Sequence, residues 1–172
     1  MTAIEQYARR HGRLHPALVS ILDSAFFSRR VPIYSAANVA VAVRPRTWAP
    51  FLLSGRAGGP TPAFVVLQTL YVAEGLLNEV VPFRGTNADF ATPEGVAFIL
   101  HEAAHAYQHF RKGTVWLMGM YLKTMVSSWQ RTRILWDHSA SELEIEAGEW
   151  EAEMLRWAKL HPDVLEKFRE LR

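Results

Sequence analysis

The sequence predicts an α+β fold, and three observations support this class. Short β-branched and apolar runs fall in the first half of the chain, whereas helical periodicity dominates the second half. Neither an internal repeat nor a low-complexity linker divides the sequence, and 172 residues suit one domain. With 49% hydrophobic and 21% charged residues, the composition is typical of a globular protein. We therefore expect residues 1–172 to form a single domain.

The first half is predicted to combine one helix with short strands. Residues 16–28 carry apolar side chains at helical spacing and begin with Pro16, which suits a first helical turn. Residues 39–43 form a short β-branched run and predict a strand. Two further strand segments and two loops are expected from composition, the strands at residues 64–67 and 70–72 and the loops at residues 54–62 and 85–89.

The second half begins with a well-marked helix. Thr92 suits an N-cap, Pro93 suits the first helical position, and Glu94 places an acid in the first turn. Lys112 and Gly113 are typical of a helix end. Apolar residues dominate the stretch from Val96 to Leu100, so this helix is expected to be buried.

A last long helix is predicted from about residues 139–141 to Leu160. Its apolar side chains form one stripe, made of Leu143, Ala147, Trp150, Met154 and Ala158. Residues 161–163 contain a proline and break the pattern, after which a short amphipathic helix is expected.

The most apolar tract of the sequence lies between these helices, at residues 114–129. It includes Lys123 and several polar residues, and it is shorter than the about 20 residues that a transmembrane helix needs. It therefore predicts a buried helix over residues 114–130 and no transmembrane segment, with a membrane-surface helix as the alternative. The tryptophans of this half are predicted to be core aromatics: Trp116, Trp129, Trp136, Trp150 and Trp157.

Charge and cysteine content limit the classes of partner and compartment. The sequence contains no cysteine, which excludes disulfides and Cys-ligated metal sites and is compatible with a reducing compartment. No signal-peptide apolar core opens the sequence, so we expect a cytoplasmic location, with signal-independent export as the alternative. Arginines in residues 1–60 follow no groove-tracking period, which favours a solvated basic surface over specific nucleic-acid binding; they are Arg9, Arg10, Arg13, Arg29, Arg30, Arg44, Arg46 and Arg56.

A His-Glu-x-x-His pattern at residues 101–105 carries the chemistry of the sequence. His101 and His105 are four residues apart on a predicted helix, so both imidazoles can reach one ion from the same face. Glu102 lies about 100° around the helix, where it can address a metal-bound water instead of the metal. A buried pair of histidines also needs partners, and a metal with a carboxylate would satisfy them.

A zinc site of this kind needs a third protein ligand, and a glutamate-rich run at residues 142–151 offers one. Glu144, Ala147 and Trp150 match the E-x-x-A helix of the gluzincin group of zinc metallopeptidases, which this sequence resembles. That resemblance nominates Glu144. Glu146 is the rival, because it lies nearer the centre of the apolar stripe. A third histidine six residues after His105 is absent, because Arg111 occupies that place.

The resemblance is closest to short bacterial domains with an H-E-x-x-H-x-x-Q helix, matched through Gln108, and it covers about residues 92–155. It implies a zincin-like domain, with a small amino-terminal sheet packed on a helical half. Residues 64–72 would supply the edge strand along which an extended peptide aligns. Many relatives carry Asp or Asn where this sequence has Gly148, so either Glu151 or another carboxylate must replace it, or the site is weakened.

The resemblance therefore implies a zinc-dependent metallopeptidase that hydrolyses a peptide or amide bond. His101, His105 and Glu144 would hold Zn²⁺, and Glu102 would act as general base. Two alternatives stay open: a non-catalytic zinc-binding (pseudo-peptidase) domain, and an interaction domain of a larger bacterial or phage assembly.

Three further residues are candidates for roles at this site. His109 lies four residues after His105 and could add a fourth ligand, although a partly exposed position is favoured for it. His138 and Tyr121 could stabilise an oxyanion.

Overall fold

A computed structural model describes residues 1–45, 63–75, 92–132 and 141–170 of the chain. These residues form an α+β fold with a small sheet in the amino-terminal part and a helical second half, as the sequence predicts. Both expected loops, His138 and Trp136 lie outside the described residues. The elements are α1 (Ala3–His11), α2 (Pro16–Leu22), a π-helical segment (Asp23–Phe27), α3 (Ser28–Arg30), a 3₁₀ turn (Ala36–Asn38), β1 (Ala40–Arg44), β2 (Ala63–Val66), β3 (Thr69–Ala73), α4 (Pro93–Lys112), α5 (Thr114–Thr132), α6 (Glu142–Leu160) and α7 (Pro162–Arg169).

Helix α1 is the element that the sequence pattern did not indicate. Its buried residues are Ile4, Glu5 and Ala8, too few to give a clear apolar stripe. The local signals are at its ends, where the Thr2 side chain accepts a hydrogen bond from the Glu5 amide and Gly12 adopts a left-handed conformation with φ of 62°.

The sheet has the order β1-β3-β2, with β1 parallel and β2 antiparallel to β3. A tight turn with positive φ at Leu67 and Gln68 joins β2 to β3, a conformation typical of two-residue hairpins. The expectation of one edge strand over residues 64–72 is therefore wrong in part. The segment folds back on itself, so that β2 lies at an edge of the described sheet and β3 lies at its centre.

Helix α4 is the central element of the fold. The Thr92 hydroxyl accepts a hydrogen bond from the Gly95 amide at 3.2 Å, and Pro93 occupies the first turn. Nearly every side chain from Gly95 to His109 is buried, because α4 packs between the sheet and α6. The prediction of a buried helix is confirmed here.

Aromatic side chains fix α6 against the rest of the core. The Trp150 ring of α6 lies 4.6 Å from Phe26, 5.9 Å from Phe27 and 5.3 Å from Tyr107, measured between ring centroids. Both phenylalanines come from the π-helical segment, and both are fully buried. This cluster holds the register of α6 relative to α4, on which the geometry of the site depends.

Helix α5 is not the buried helix that its composition predicts. Leu117 and Ser128 are buried, but Trp116 and Trp129 are exposed, and the remaining outward positions are mostly apolar. The buried row of α5 also carries Tyr121 and Thr124, at helical spacing, so the more polar side of this helix faces the protein. Overall apolarity predicted burial correctly for α4 and wrongly for α5, because it does not show which face is turned inward. In the described part of the chain, no helix has the length and apolarity needed to span a membrane.

The Thr92 cap should contribute measurably to stability, because it satisfies a buried amide at the start of the central helix. We expect Thr92→Ala to lower the free energy of unfolding by about 1 kcal/mol, whereas Thr92→Ser retains most of it. Chemical denaturation of the two variants measures the difference. An equal loss in both would show that the hydroxyl does not act as a cap.

Candidate metal centre

Helix α4 presents two imidazoles side by side. The rings of His101 and His105 project from successive turns of the same face, with centroids 5.0 Å apart. His105 is buried, and the side chain of His101 is 13% exposed. The pair therefore lies within the protein but close enough to the surface for one edge to meet solvent.

Helix α6 brings one carboxylate to both rings. Glu144 Oε2 lies 3.5 Å from His101 Nε2, and Glu144 Oε1 lies 3.5 Å from His105 Nε2. These separations exceed the about 2.9 Å of a good hydrogen bond. Two ligand atoms at about 2.1 Å from a shared zinc ion, set at the tetrahedral angle, lie about 3.4 Å apart. The spacing of the three groups therefore fits the ligands of one ion.

The start of α6 explains why Glu144 takes this position. Ser141 is the N-cap of α6, and its hydroxyl accepts a hydrogen bond from the Glu144 amide at 3.2 Å. Glu144 thus lies in the first helical turn with its backbone fixed. One donor atom from each of His101, His105 and Glu144 lies within 4.8 Å of the others, and no fourth histidine or carboxylate joins this group within the described ranges.

Glu151 orients His101 from the side opposite Glu144. Its Oε2 lies 3.0 Å from His101 Nδ1. A hydrogen bond from Nδ1–H to this carboxylate leaves Nε2 directed at Glu144. Gly148 offers no side chain for this purpose, so of the alternatives that the sequence left open, the structure has Glu151 in the orienting position.

A hydrogen-bond chain fixes the tautomer of His105. The Gln108 amide donates from Nε2 to the Leu143 carbonyl at 2.9 Å and to Glu146 Oε2 at 3.1 Å. Its oxygen must therefore face His105, whose Nδ1 lies 2.9 Å from Oε1. Because this oxygen can only accept, Nδ1 carries the proton and the Nε2 lone pair is free to bind an ion.

The two candidate glutamates of α6 make different contacts. Glu146 binds Gln108 and lies 3.6 Å from Arg111, and it is not part of the group that includes both histidines. Glu144, nominated by the E-x-x-A register, is the glutamate that the structure brings to the imidazoles.

The two histidines have opposite protonation preferences. Burial lowers the pKa of His101, but the Glu144 and Glu151 carboxylates outweigh burial and raise this pKa to about 10. Burial lowers the pKa of His105 below its usual value, and the charge on Glu144 only partly opposes this. At neutral pH the metal-free site therefore contains a protonated His101 and a neutral His105.

Glu102 and Tyr121 lie within electrostatic reach of this group. Glu102 is 6% exposed, and its charge contributes to the raised pKa of His101. Burial raises the pKa of the Tyr121 phenol, and the charges of Glu144 and Glu102 raise it further. Tyr121 thus presents a neutral hydroxyl from α5 near Glu144 and Glu102.

His109 does not take the place that the sequence favoured for it. It is buried instead of partly exposed, and neither ring nitrogen has a hydrogen-bond partner. Burial lowers its pKa, and the neighbouring His105 lowers it further. His109 lies outside the group of His101, His105 and Glu144, so the structure gives no support for a fourth ligand there.

No protein-family model, curated protein or solved structure matches this chain. The chemistry of the centre must therefore be inferred from the geometry of its own residues.

Replacement of Glu144 should abolish metal binding, whereas the same change at Glu146 should not. We expect Glu144→Gln to lose bound zinc, because an amide is a weaker ligand than a carboxylate and lacks its charge. Glu146→Gln keeps an oxygen that can accept from Gln108, so it should retain about one zinc per chain. Elemental analysis of the two purified variants tests this. Zinc lost only from the Glu146 variant would reverse the assignment.

Zinc binding near neutral pH should release about one proton per ion, because a ligand imidazole must be neutral and His101 is protonated in the metal-free site. Affinity should therefore rise with pH until it passes the His101 pKa of about 10. Calorimetric titrations in two buffers of different ionisation enthalpy give the number of protons released. A value near zero would contradict the protonation state assigned to His101.

Proposed function

We propose that this protein is a zinc-dependent hydrolase of peptide or amide bonds. Its His101, His105 and Glu144 would hold the zinc ion in the arrangement of the gluzincins, whose motifs the sequence resembles. One observation carries the proposal: both histidine Nε2 atoms face one carboxylate at 3.5 Å, while each Nδ1 atom has a separate acceptor. This arrangement sets the Nε2 atoms of both rings toward a common point. A purely structural ion pair between one histidine and one glutamate would not require a second imidazole to face the same carboxylate.

The donor set favours zinc. Two imidazole nitrogens and one carboxylate oxygen are ligands that Zn²⁺ accepts in catalytic sites, where three protein ligands leave one position open. The described residues supply three such groups, and the 13% exposure of the His101 and Glu144 side chains leaves that side reachable. When bound, zinc would supply a Lewis acid and lower the pKa of a coordinated water toward neutrality.

Glu102 is the proposed general base. Hydrolysis adds a water oxygen to the carbonyl carbon and breaks the carbon–nitrogen bond. Glu102 would take a proton from the attacking water and return it to the leaving nitrogen. Its position next to His101, on a buried part of α4, supports this role, because a purely structural metal site does not need a further carboxylate there.

Tyr121 is the proposed donor to the carbonyl oxygen. A tyrosine phenol is neutral at physiological pH, and burial raises the pKa of Tyr121 further, so its hydroxyl can donate a hydrogen bond as negative charge develops on that oxygen. Strand β2 supports a peptide as the substrate class. It lies at an edge of the described sheet and packs against α4, and an edge strand can pair with an extended chain.

Replacement of Glu102 tests the proposal directly. We expect Glu102→Gln to lower hydrolysis of a fluorogenic peptide library by about 10²-fold or more, because a glutamine cannot accept the proton. Zinc content should stay near one per chain. The matched control is Glu149→Gln, which makes the same change at an exposed position of α6 and should leave hydrolysis unchanged.

Two outcomes would reject this assignment. Full activity of Glu102→Gln would remove Glu102 from the reaction. Stoichiometric zinc in the unaltered protein without any turnover of peptide or amide substrates would favour the non-catalytic zinc-binding domain instead, and chelation should then lower the melting temperature without any loss of activity to measure.

A further inference from the structure

Helix α5 exposes a continuous apolar face. Its members are Val115, Met118, Leu122, Val126 and Trp129, which follow one another at intervals of three or four residues and therefore lie on one side of the helix. Their exposed fractions range from 46% to 88%. We call this the α5 face. Isolated exposed apolar residues are ordinary, but a contiguous row of this length marks a surface that contacts something other than water.

The side chains on the inward side of α5 argue against a rotation of the helix that would bury the α5 face. Leu117 and Ser128 are buried, and Tyr121 lies between them near the charges of Glu144 and Glu102. Rotation of α5 to bury its apolar face would withdraw this tyrosine from the metal centre. The inward side of α5 is therefore the one that carries Leu117, Tyr121 and Ser128, and the α5 face is on the outside.

Charge indicates what covers the α5 face. From Ala103 to Trp136 the sequence contains no aspartate or glutamate, whereas it carries five cationic residues: Arg111, Lys112, Lys123, Arg131 and Arg133. Lys123 is exposed beside the face, and the Lys112 ammonium lies 5.0 Å from the centre of the Trp116 ring. Exposed apolar side chains, two tryptophans and flanking cations are the composition of helices that lie in the surface of an anionic bilayer.

A second copy of the chain fits less well. Pairing two α5 faces would bring the cations of both copies together with no acid on either helix to offset them. Anionic lipid headgroups would instead attract these cations. Each lysine or arginine near such a surface contributes about 1 kcal/mol to binding.

We propose that the α5 face docks the protein onto an anionic membrane surface. The apolar side chains would enter the boundary between headgroups and acyl chains, and Lys123 would lie among the headgroups. Docking does not depend on the proposed catalysis. If both hold, Tyr121 lies near both surfaces, because it is about 100° around α5 from Leu122 of the α5 face.

Co-sedimentation of the full chain with vesicles tests the proposal. We expect binding to vesicles of phosphatidylcholine with phosphatidylglycerol, at least tenfold weaker binding to phosphatidylcholine alone, and weakening by added salt. Leu122→Glu combined with Val126→Glu should lower binding to anionic vesicles more than tenfold. Lys123→Gln should lower it about fivefold, which corresponds to the contribution of one cation at such a surface.

Ile33→Glu is the matched control, because it makes the same apolar-to-acidic change at a residue that is 78% exposed and distant in sequence from α5. It should bind as the unaltered protein does. All four exposed sites can be changed without opening the core, and a thermal melt of each variant checks that folding is retained.

Three results would overturn the proposal. They are no binding to either kind of vesicle, equal binding of the α5 double variant and the Ile33 variant, and a dimer in sedimentation velocity that the α5 double variant dissociates while vesicles are not bound. The last result would assign the α5 face to a second copy. None of these measurements uses hydrolysis, so failure here leaves the catalytic proposal to its own test.

Discussion

The contact between α4 and α6 is the constraint on which the site depends. Gln108 is its polar centre, since one buried amide orients His105 and binds both the Leu143 carbonyl and Glu146. Each of its hydrogen-bonding groups is used, and an unsatisfied buried amide would cost about 1–3 kcal/mol. Movement of α6 by one residue along α4 would break these bonds and separate Glu144 from the imidazoles. The register of α6 on α4 therefore determines the geometry of His101, His105 and Glu144.

Charge balance explains why an ion suits this position. A carboxylate and two imidazoles share a space with little solvent, and the metal-free protein neutralises Glu144 by retaining a proton on His101. The proton serves only one ring, while His105 stays neutral and directs an unshared lone pair at the same carboxylate. A divalent cation held by His101, His105 and Glu144 would replace the proton, use both lone pairs and offset the carboxylate charge. Binding at the two Nε2 atoms would not require the Nδ1 contacts to Glu151 and Gln108 to break, so little reorganisation would be needed.

The sequence predicted those features that depend on neighbouring residues in the chain, such as helix ends and the face on which a side chain lies. Thr92 and Pro93 mark the start of α4. The four-residue spacing of His101 and His105 places both rings on one face of this helix whatever surrounds them. The choice between Glu144 and Glu146 is different, because one turn of α6 presents both and only tertiary packing selects one. Burial of His109 is likewise set by neighbours that are distant in sequence. The sequence indicated two strand segments at residues 64–67 and 70–72 but not the hairpin that joins them, since the turn at residues 67–68 contains no glycine.

Helix α5 packs against its own hydrophobic pattern, because its more polar side faces the protein. Burial of its apolar face would gain about 25 cal/mol for each Å² removed from water, so a stability argument alone would turn that face inward. The protein instead turns inward the buried Leu117 and Ser128 and the half-buried Tyr121, which puts a hydroxyl near the charges of Glu144 and Glu102. The apolar face is then left outside, beside exposed cations. The proposed docking on an anionic membrane would resolve this conflict, because it would supply the burial that the fold gives up to turn Tyr121 toward Glu144 and Glu102.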